Sequence, residues 1–364
     1  MKNVGIVGWR GMVGSVLVQR MSEENDFENF KAHFFSTSQA GEKAPNYPNA
    51  ANTLLDANDL QQLSDMDIIV SCQGSEFTKQ IHPELKKSGW NGYWIDAASA
   101  LRYEPSSTLV LDPVNKSLIE SAIADGKKEF IGSNCTVSTM LMGIAGLFEH
   151  DLIEWMSSMS YQAVSGAGAK NVKELLQQMQ AMSEIDLTSP TSSILEIEQA
   201  VTAKLRSNEL PHAEFGVAIA GNVLPWIDSA VENGQSREEW KSMVETNLIM
   251  GNHTEIPIDG TCVRVGAMRC HSQALTIKLN KNVPINELEE IIANSTDWTE
   301  LVPNTKEASI EKLTPVSVSG KLDVRVGRVR KMKLGSEYLN AFVVGDQLLW
   351  GAAEPLRRML SLLI

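Results

Sequence analysis

Along the first third of the chain, short apolar runs alternate with stretches in which apolar residues recur every three or four positions. Val4-Gly5-Ile6-Val7, His33-Phe34-Phe35, residues 67–72, Tyr93-Trp94-Ile95-Asp96, residues 108–111 and Glu129-Phe130-Ile131 read as buried strands. Between them, Val13, Val16, Leu17, Arg20 and Met21 share one helical face, and residues 76–87 read as a helix. Strand and helix in alternation predict an α/β domain. The Pro/Asn-rich segment 45–52 reads as a loop.

Farther along, Val137, Met140, Leu141 and Ile144 mark a helix directly behind the Glu129-Phe130-Ile131 strand. Residues 159–164 read as a strand, followed by a helix with Val172, Leu175, Leu176, Met179 and Met182 on its apolar face. Residues 183–193, with Pro190, read as a loop or broken helix. Ser236 and Glu239 form a capping box. The helix they open is expected to bury Trp240, Met243, Val244 and Asn247, leaving Glu238, Lys241 and Glu245 on a solvated face. Residues 262–279 form a long β-rich run. Arg264 and His271 differ in parity, so a break near Gly266 is required if both are to face one site. Residues 345–360 read as a helix, with Pro355 predicting a kink or a late start.

Two turns carry candidate chemistry. Gly8-Trp9-Arg10-Gly11-Met12-Val13-Gly14 joins a strand to a helix, the context of a dinucleotide-binding turn, in a GxxGxxG spacing. A tight βα turn without ligand is the alternative. The next strand ends in Ser36-Thr37-Ser38-Gln39, with hydroxyls where an NAD-selective site places a carboxylate, which favours NADP. In the second turn, Ile131 to Ser138, Cys135 falls at a helix N-terminus. Free N–H groups there favour a thiolate and offer to hold an oxyanion. A structural cysteine is the competing reading. Cys270 and His271 are adjacent and point apart in a strand, so His271 pairs with a distant cysteine if it acts.

The 364 residues suffice for two domains, and 43% are hydrophobic, enough for a large core. A formal net charge of -13 argues against nucleic acid or an anionic membrane as partner. Four cysteines without a C-x-x-C pair give no support for a metal site. With no leader or membrane-length apolar run in sight, a reduced cytoplasmic compartment is expected.

Taken together, the glycine turn, Ala97-Ala98-Ser99-Ala100-Leu101-Arg102, Asn134-Cys135-Thr136-Val137-Ser138, Glu238-Glu239-Trp240-Lys241, Arg269-Cys270-His271-Ser272-Gln273 and residues 345–355 resemble the bacterial aspartate-β-semialdehyde dehydrogenase family over essentially the whole chain. The resemblance implies an α/β fold: an N-terminal Rossmann-type dinucleotide-binding domain (1–133) plus an α+β catalytic and dimerisation domain with a mixed sheet (134–350). A C-terminal helix (about 351–364) would pack back on the first domain. It also implies a homodimer and NADPH-dependent conversion of aspartyl phosphate to aspartate semialdehyde, a step toward lysine, threonine, methionine and diaminopimelate. By the same resemblance Cys135 would be the nucleophile, His271 the acid/base and Gln162 a holder of the acyl group. Arg264 would bind the substrate carboxylate and Glu238 its amine, while Arg102, Asn134 and Lys241 would hold phosphate. Gly8, Arg10, Gly11, Met12, Val13, Thr37, Ser38, Gln73, Ser165, Gly166, Ala167, Gly168, Ala169 and Gln347 would line the NADP site. Ser133, the 221–226 segment and a shortened loop after Met182 depart from the family pattern. A related acyl-phosphate reductase, such as one acting on N-acetylglutamyl phosphate, and a non-catalytic NADP-binding regulator are the competing functions.

Overall fold

The computed structural model describes residues 1–185 and 193–364. Seven parallel strands form the first sheet: β1 (Asn3–Val7), β2 (Lys31–Ser36), β3 (Leu55–Asp56), β4 (Ile68–Ser71), β5 (Tyr93–Asp96), β6 (Ser107–Val110) and β7 (Glu129–Gly132). Their order is β3-β2-β1-β4-β5-β7-β6. Ile68, Ile69, Val70, Trp94 and Ile95 are all fully buried, as expected of strands covered on both faces. The order reverses between β1 and β4, the place where α/β sheets bind ligands beyond their carboxyl ends. The glycine turn, Gln73, Arg102 and Cys135 all follow the carboxyl ends of strands here.

A second sheet is mixed. It comprises β8 (Ile153–Gln162), β9 (Val223–Leu224), β10 (Ile258–Asp259), β11 (Cys262–Val265), β12 (His271–Leu279), β13 (Thr299–Leu301), β14 (Val324–Met332) and β15 (Gly335–Gly345). The order is β13-β14-β15-β12-β8-β11-β9, with β10 also pairing with β8. The helix Cys135–Glu149 is buried on every side from Thr136 to Phe148. Such all-round apolar helices belong inside a core. Gly143 permits this, since a Cβ there would lie 2.8 Å from a Val326 methyl. The helix starts directly after β7 and packs on β14 and β15, so its N-terminus lies where the two sheets meet.

The C-terminal helix, Glu354–Leu363, returns to the first sheet. Leu356, Met359 and Leu360 enter that core, and Arg357 pairs with Asp26 at 2.9 Å and Arg358 with Asp112 at 2.6 Å. Pro355 occupies the first turn, after a π-helical turn at Leu349–Ala353, so the late start is what the proline dictates. Among the described residues no helix is long and apolar enough to cross a membrane.

Several expectations need correction. β8 begins six residues earlier than read and stops at Gln162, and Val164–Ala167 is a 3-10 turn. In the helix Ala169–Met182 the buried side chains are Glu174, Leu175 and Gln178, whereas Leu176 and Met179 are exposed. The reason is polar: Glu174 accepts from the Glu214 and Phe215 N–H groups, and Gln178 from those of Ile219 and Ala220. The helix Arg237–Met250 is also turned round. Glu238, Lys241 and Glu245 are buried, while Trp240, Met243, Val244 and Asn247 are only half-buried. The loop expected after Met182 falls largely on residues 186–192, outside the described residues.

Candidate active site

The break in the β-rich run brings the expected catalytic pair together. β11 ends at Val265 and β12 begins at His271, and Cys270 between them adopts a left-handed conformation, φ 76°. Cys270 turns into a small apolar cluster with Val302, Leu313, Val318 and Val344. His271 is released toward the other side, where its Nε2 lies 3.2 Å from the Cys135 sulfur. Its Nδ1 accepts from the Ala163 N–H at 3.0 Å. A neutral ring so held carries its proton on Nε2, facing sulfur. Burial and the nearby Arg264 cation push His271 down to about 3, so it stays neutral.

At rest the surroundings of Cys135 oppose the thiolate expected there. Burial and the Glu238 carboxylate push the thiol up to about 11, against the pull of Arg264, Arg102 and Lys241. Of the helix N–H groups only that of Cys135 is left for an oxyanion among the described residues. Asn134 Oδ1 accepts from Thr136 and Val137, at 2.9 and 3.1 Å, and its carbonyl accepts from Ser138. Gly351 completes the confinement, since a Cβ there would lie 2.5 Å from Cys135 Cβ.

Around the sulfur is a cavity of about 360 Å³, lined among others by Arg102, Asn134, Gln162, Glu238, Lys241 and Arg264. Glu238 Oε1 accepts from Asn134 Nδ2 at 2.9 Å and Gln162 Nε2 at 3.2 Å, and Oε2 from Lys241 Nζ at 3.2 Å. Burial would raise this carboxyl, but Lys241 and the two amide donors outweigh it and hold Glu238 below its usual value. Lys241 also pairs with Asp228 at 2.7 Å. Arg264 donates to the Ala163 carbonyl at 2.7 Å, and burial lowers its pKa. Two carboxylates, Glu238 and Asp228, and three cations, Arg102, Lys241 and Arg264, therefore line the cavity around the thiol, which suits a ligand with both signs of charge. A larger cleft, about 800 Å³, between Asp112, the 293–299 loop and Arg358 holds none of the expected site residues.

The cavity runs on to Val13, Ser165, Gly166, Gln347 and Leu348. Gln347 joins the two ends: its Nε2 donates to Ser165 Oγ, and its Oε1 accepts from the Cys270 N–H at 2.8 Å. At the glycine turn, Gly8 has φ 76° and a Cβ there would lie 2.5 Å from the Cys72 carbonyl carbon; at Gly14 a Cβ would strike the Gly8 carbonyl. Both glycines are therefore obligatory for the tight turn. Arg10 extends over the end of β2, donating to Gln39 and to Ser36 Oγ at 3.4 Å, beside the exposed Thr37 and Ser38. A cation among hydroxyls, with no carboxylate, fits a 2′-phosphate. Gly11 and Met12 open the helix behind the turn, and Gln73 is exposed after β4. Ala167, Gly168 and Ala169 form the connector that opens the helix Ala169–Met182.

Sequence reasoning missed Glu245 and Asp228. Glu245 is fully buried and touches Arg102, Tyr103 and the Asn134 peptide. The available signal was spacing: Glu238, Lys241 and Glu245, at i, i+3 and i+7, make one narrow charged stripe.

The chain is similar to known proteins over its whole length. The family model for the semialdehyde dehydrogenase NAD-binding domain matches residues 3–122, and that for the semialdehyde dehydrogenase dimerisation domain matches residues 144–350. Among solved structures, the aspartate semialdehyde dehydrogenase of Francisella tularensis is 48% identical, with all of both chains covered and a TM-score of 0.97. Aspartate semialdehyde dehydrogenase II of Vibrio cholerae, complexed with ASA, is 24% identical over 100% of this chain and 98% of its own, TM-score 0.81. The Candida albicans enzyme, with NADP, is 17% identical over 99% of this chain and 97% of its own, TM-score 0.66. The last two show a shared fold.

Proposed function

The chain belongs to the semialdehyde dehydrogenase family, and on that premise we propose that it converts L-aspartyl 4-phosphate to L-aspartate 4-semialdehyde and phosphate, reversibly and with NADPH. The step serves lysine, threonine, methionine and diaminopimelate synthesis. The observation that carries the reading is the 3.2 Å approach of His271 to Cys135 inside a cavity of mixed charge.

Cys135 attacks the acyl carbon, the carbon–oxygen bond to phosphate breaks, the thiol proton leaves with the departing phosphate, and a thioester remains. NADPH, when bound, would supply the hydride for this acyl carbon. Collapse of the resulting thiohemiacetal releases the aldehyde and returns the thiolate. Within the acid/base role, the Ala163 contact supports the donor half: Nε2–H stabilises the thiolate and then the oxygen that gains charge. Gln162 holds the acyl group from its anchor on Ser160 and Glu238. Arg264 grips the substrate carboxylate with a planar fork. Glu238 meets the substrate ammonium; that contact releases the thiol from the charge opposing its ionisation. Arg102, Lys241 and Asn134 serve the phosphate. NADP would lie along Gly8, Arg10, Gly11, Met12 and Val13, with Thr37 and Ser38 beside Arg10 at the 2′-phosphate and Gln73, Ser165 to Ala169 and Gln347 toward the nicotinamide.

The buried Glu238 carboxylate argues against N-acetylglutamyl phosphate, whose acylated nitrogen carries no charge to pair with it. The deciding assay is phosphate-dependent reduction of NADP, with aspartate semialdehyde against N-acetylglutamate semialdehyde. Reduction with the first alone is expected; reduction with the second, or with neither, removes the proposal.

Residues 1–133 form the NADP domain in this reading, 134–350 the catalytic and dimerisation domain, and the last helix belongs with the first domain. A homodimer is supported by the exposed Met159 and Tyr161, on one face of β8, and by Leu176 and Met179. An unpaired nucleophilic cysteine supports a reduced, cytoplasmic setting.

A further inference from the structure

Glu245 is a fully buried carboxylate with no part in the chemistry above. Its Oε1 accepts from Tyr103 Oη at 2.7 Å and from Arg102 Nη1 at 3.2 Å, and its Oε2 accepts from the Asn134 peptide N–H at 2.5 Å. The donors come from two loops, one after β5 and one after β7, so a single carboxylate ties both to the helix Arg237–Met250. Arg102 is fixed by two more acceptors, the Gly132 carbonyl at 2.7 Å and the Ala97 carbonyl at 3.3 Å. Of its five N–H bonds, these contacts leave one on each Nη for a ligand. An isolated buried carboxylate is costly, and a buried ion pair adds little stability over an apolar replacement. Retaining a full charge against the cation assigned to phosphate therefore calls for a reason in the chemistry.

We infer that Glu245 is a positioning residue and the resident counter-anion of the phosphate subsite: it sets the Arg102 guanidinium and the Asn134 peptide in place, and by sharing the Arg102 charge it weakens the hold on phosphate so that the leaving group departs. The inference rests on the assignment of Arg102 to phosphate. Two anions on one cation repel each other. A subsite without that repulsion binds its product too well, and turnover becomes limited by release.

The test is a titration of inorganic phosphate into the full chain by calorimetry, beside the phosphate-dependent reduction of NADP. Glu245→Gln keeps one oxygen to accept from Tyr103 and Arg102, removes the charge, and puts an amide donor where the Asn134 N–H had its acceptor. Its phosphate Kd is expected to fall about fivefold, with phosphate KM falling alongside and the semialdehyde KM unchanged within about twofold. Tyr103→Phe moves the other way. The carboxylate loses a donor and turns more of its charge on Arg102, so the phosphate Kd rises about two- to threefold. A Kd in folded Glu245→Gln that is unchanged or weaker overturns the inference, as does a wild-type chain that does not bind phosphate. If Glu245→Gln does not fold, Tyr103→Phe decides, and a tighter or unchanged Kd there overturns it. Calorimetry reads the subsite whether or not the semialdehyde turns over. Phosphate binding that follows this pattern without NADP reduction would count against the enzyme function and leave the role of Glu245 standing.

Discussion

Nε2 of His271 lies 3.2 Å from Sγ of Cys135, although 136 residues of chain separate them. The contact depends on the left-handed turn at Cys270 and on the Ala163 N–H that occupies the far ring nitrogen. Replacing sulfur by oxygen keeps the volume and the hydrogen bond but loses the nucleophile. Cys135→Ser is expected to lower turnover at least ~10³-fold with an unchanged thermal midpoint. Steady-state rates and a melting curve check this; a variant that retains turnover dismisses Cys135 as the attacking group.

Glu238 makes the resting thiol reluctant, because its charge and the burial of the site together hold Cys135 at about 11. Removing a negative charge favours the thiolate, so Glu238→Gln should move the ionisation to lower pH by about one unit. Inactivation by iodoacetamide measures it. In the wild type, without substrate, the rate should still be climbing at about pH 10. In Glu238→Gln the same rise should come earlier. A wild-type profile that is flat above neutrality would mean that the thiolate is already formed at rest.

How much of this was legible depends on where the deciding partners lie. Six of the seven strands of the first sheet were readable because a short apolar run declares a buried strand, as Ile68-Ile69-Val70-Ser71 does; β3, two half-buried residues, gave no such run and was missed. The break before His271 was readable from parity alone. The Arg237–Met250 helix was misjudged because its apolar and charged faces were assigned by default. Glu238 pairs with Lys241 on the same helix, but the charges that balance Lys241 and Glu245 come from Asp228 and Arg102, outside it. Leu176 and Met179 were misjudged likewise, since Gln178 is buried to satisfy peptide N–H groups at Ile219 and Ala220. The state of the cysteine was not legible at all: the helix end was visible, but the side chain of Asn134 uses two of its donors.

Arg10 is expected to set cofactor choice. It crosses to Ser36 and Gln39 at the end of β2, where no carboxylate stands. A guanidinium on a 2′-phosphate is a charge-assisted contact, which NADH cannot make. Arg10→Ala should raise the KM for NADPH roughly tenfold and leave that for NADH nearly unchanged. Equal effects on the two cofactors would place Arg10 at the pyrophosphate instead.

Acid stability should depend on Glu129, at the start of β7. The residue is buried and pairs with Lys86 at 2.9 Å, with His82 at 3.4 Å. Burial opposes its ionisation, but His82 and Lys86 more than compensate and draw the carboxyl down to about 2 from 4.5. A folded value below the unfolded one means stability that is fully present above about pH 4.5 and lost as the pH falls toward 2. After allowance for solvent around Lys86, the contribution is about 1–2 kcal/mol at neutrality. Glu129→Gln should therefore lower the thermal midpoint by about 1–4 °C at pH 7. The deficit should shrink as both proteins are taken toward about pH 3, because below about pH 4.5 the unfolded wild-type chain gains a proton that the folded carboxylate does not yet take. Melting curves at one scan rate across this range give the answer, and a deficit of the same size at every pH would assign the effect to packing at β7 rather than to charge.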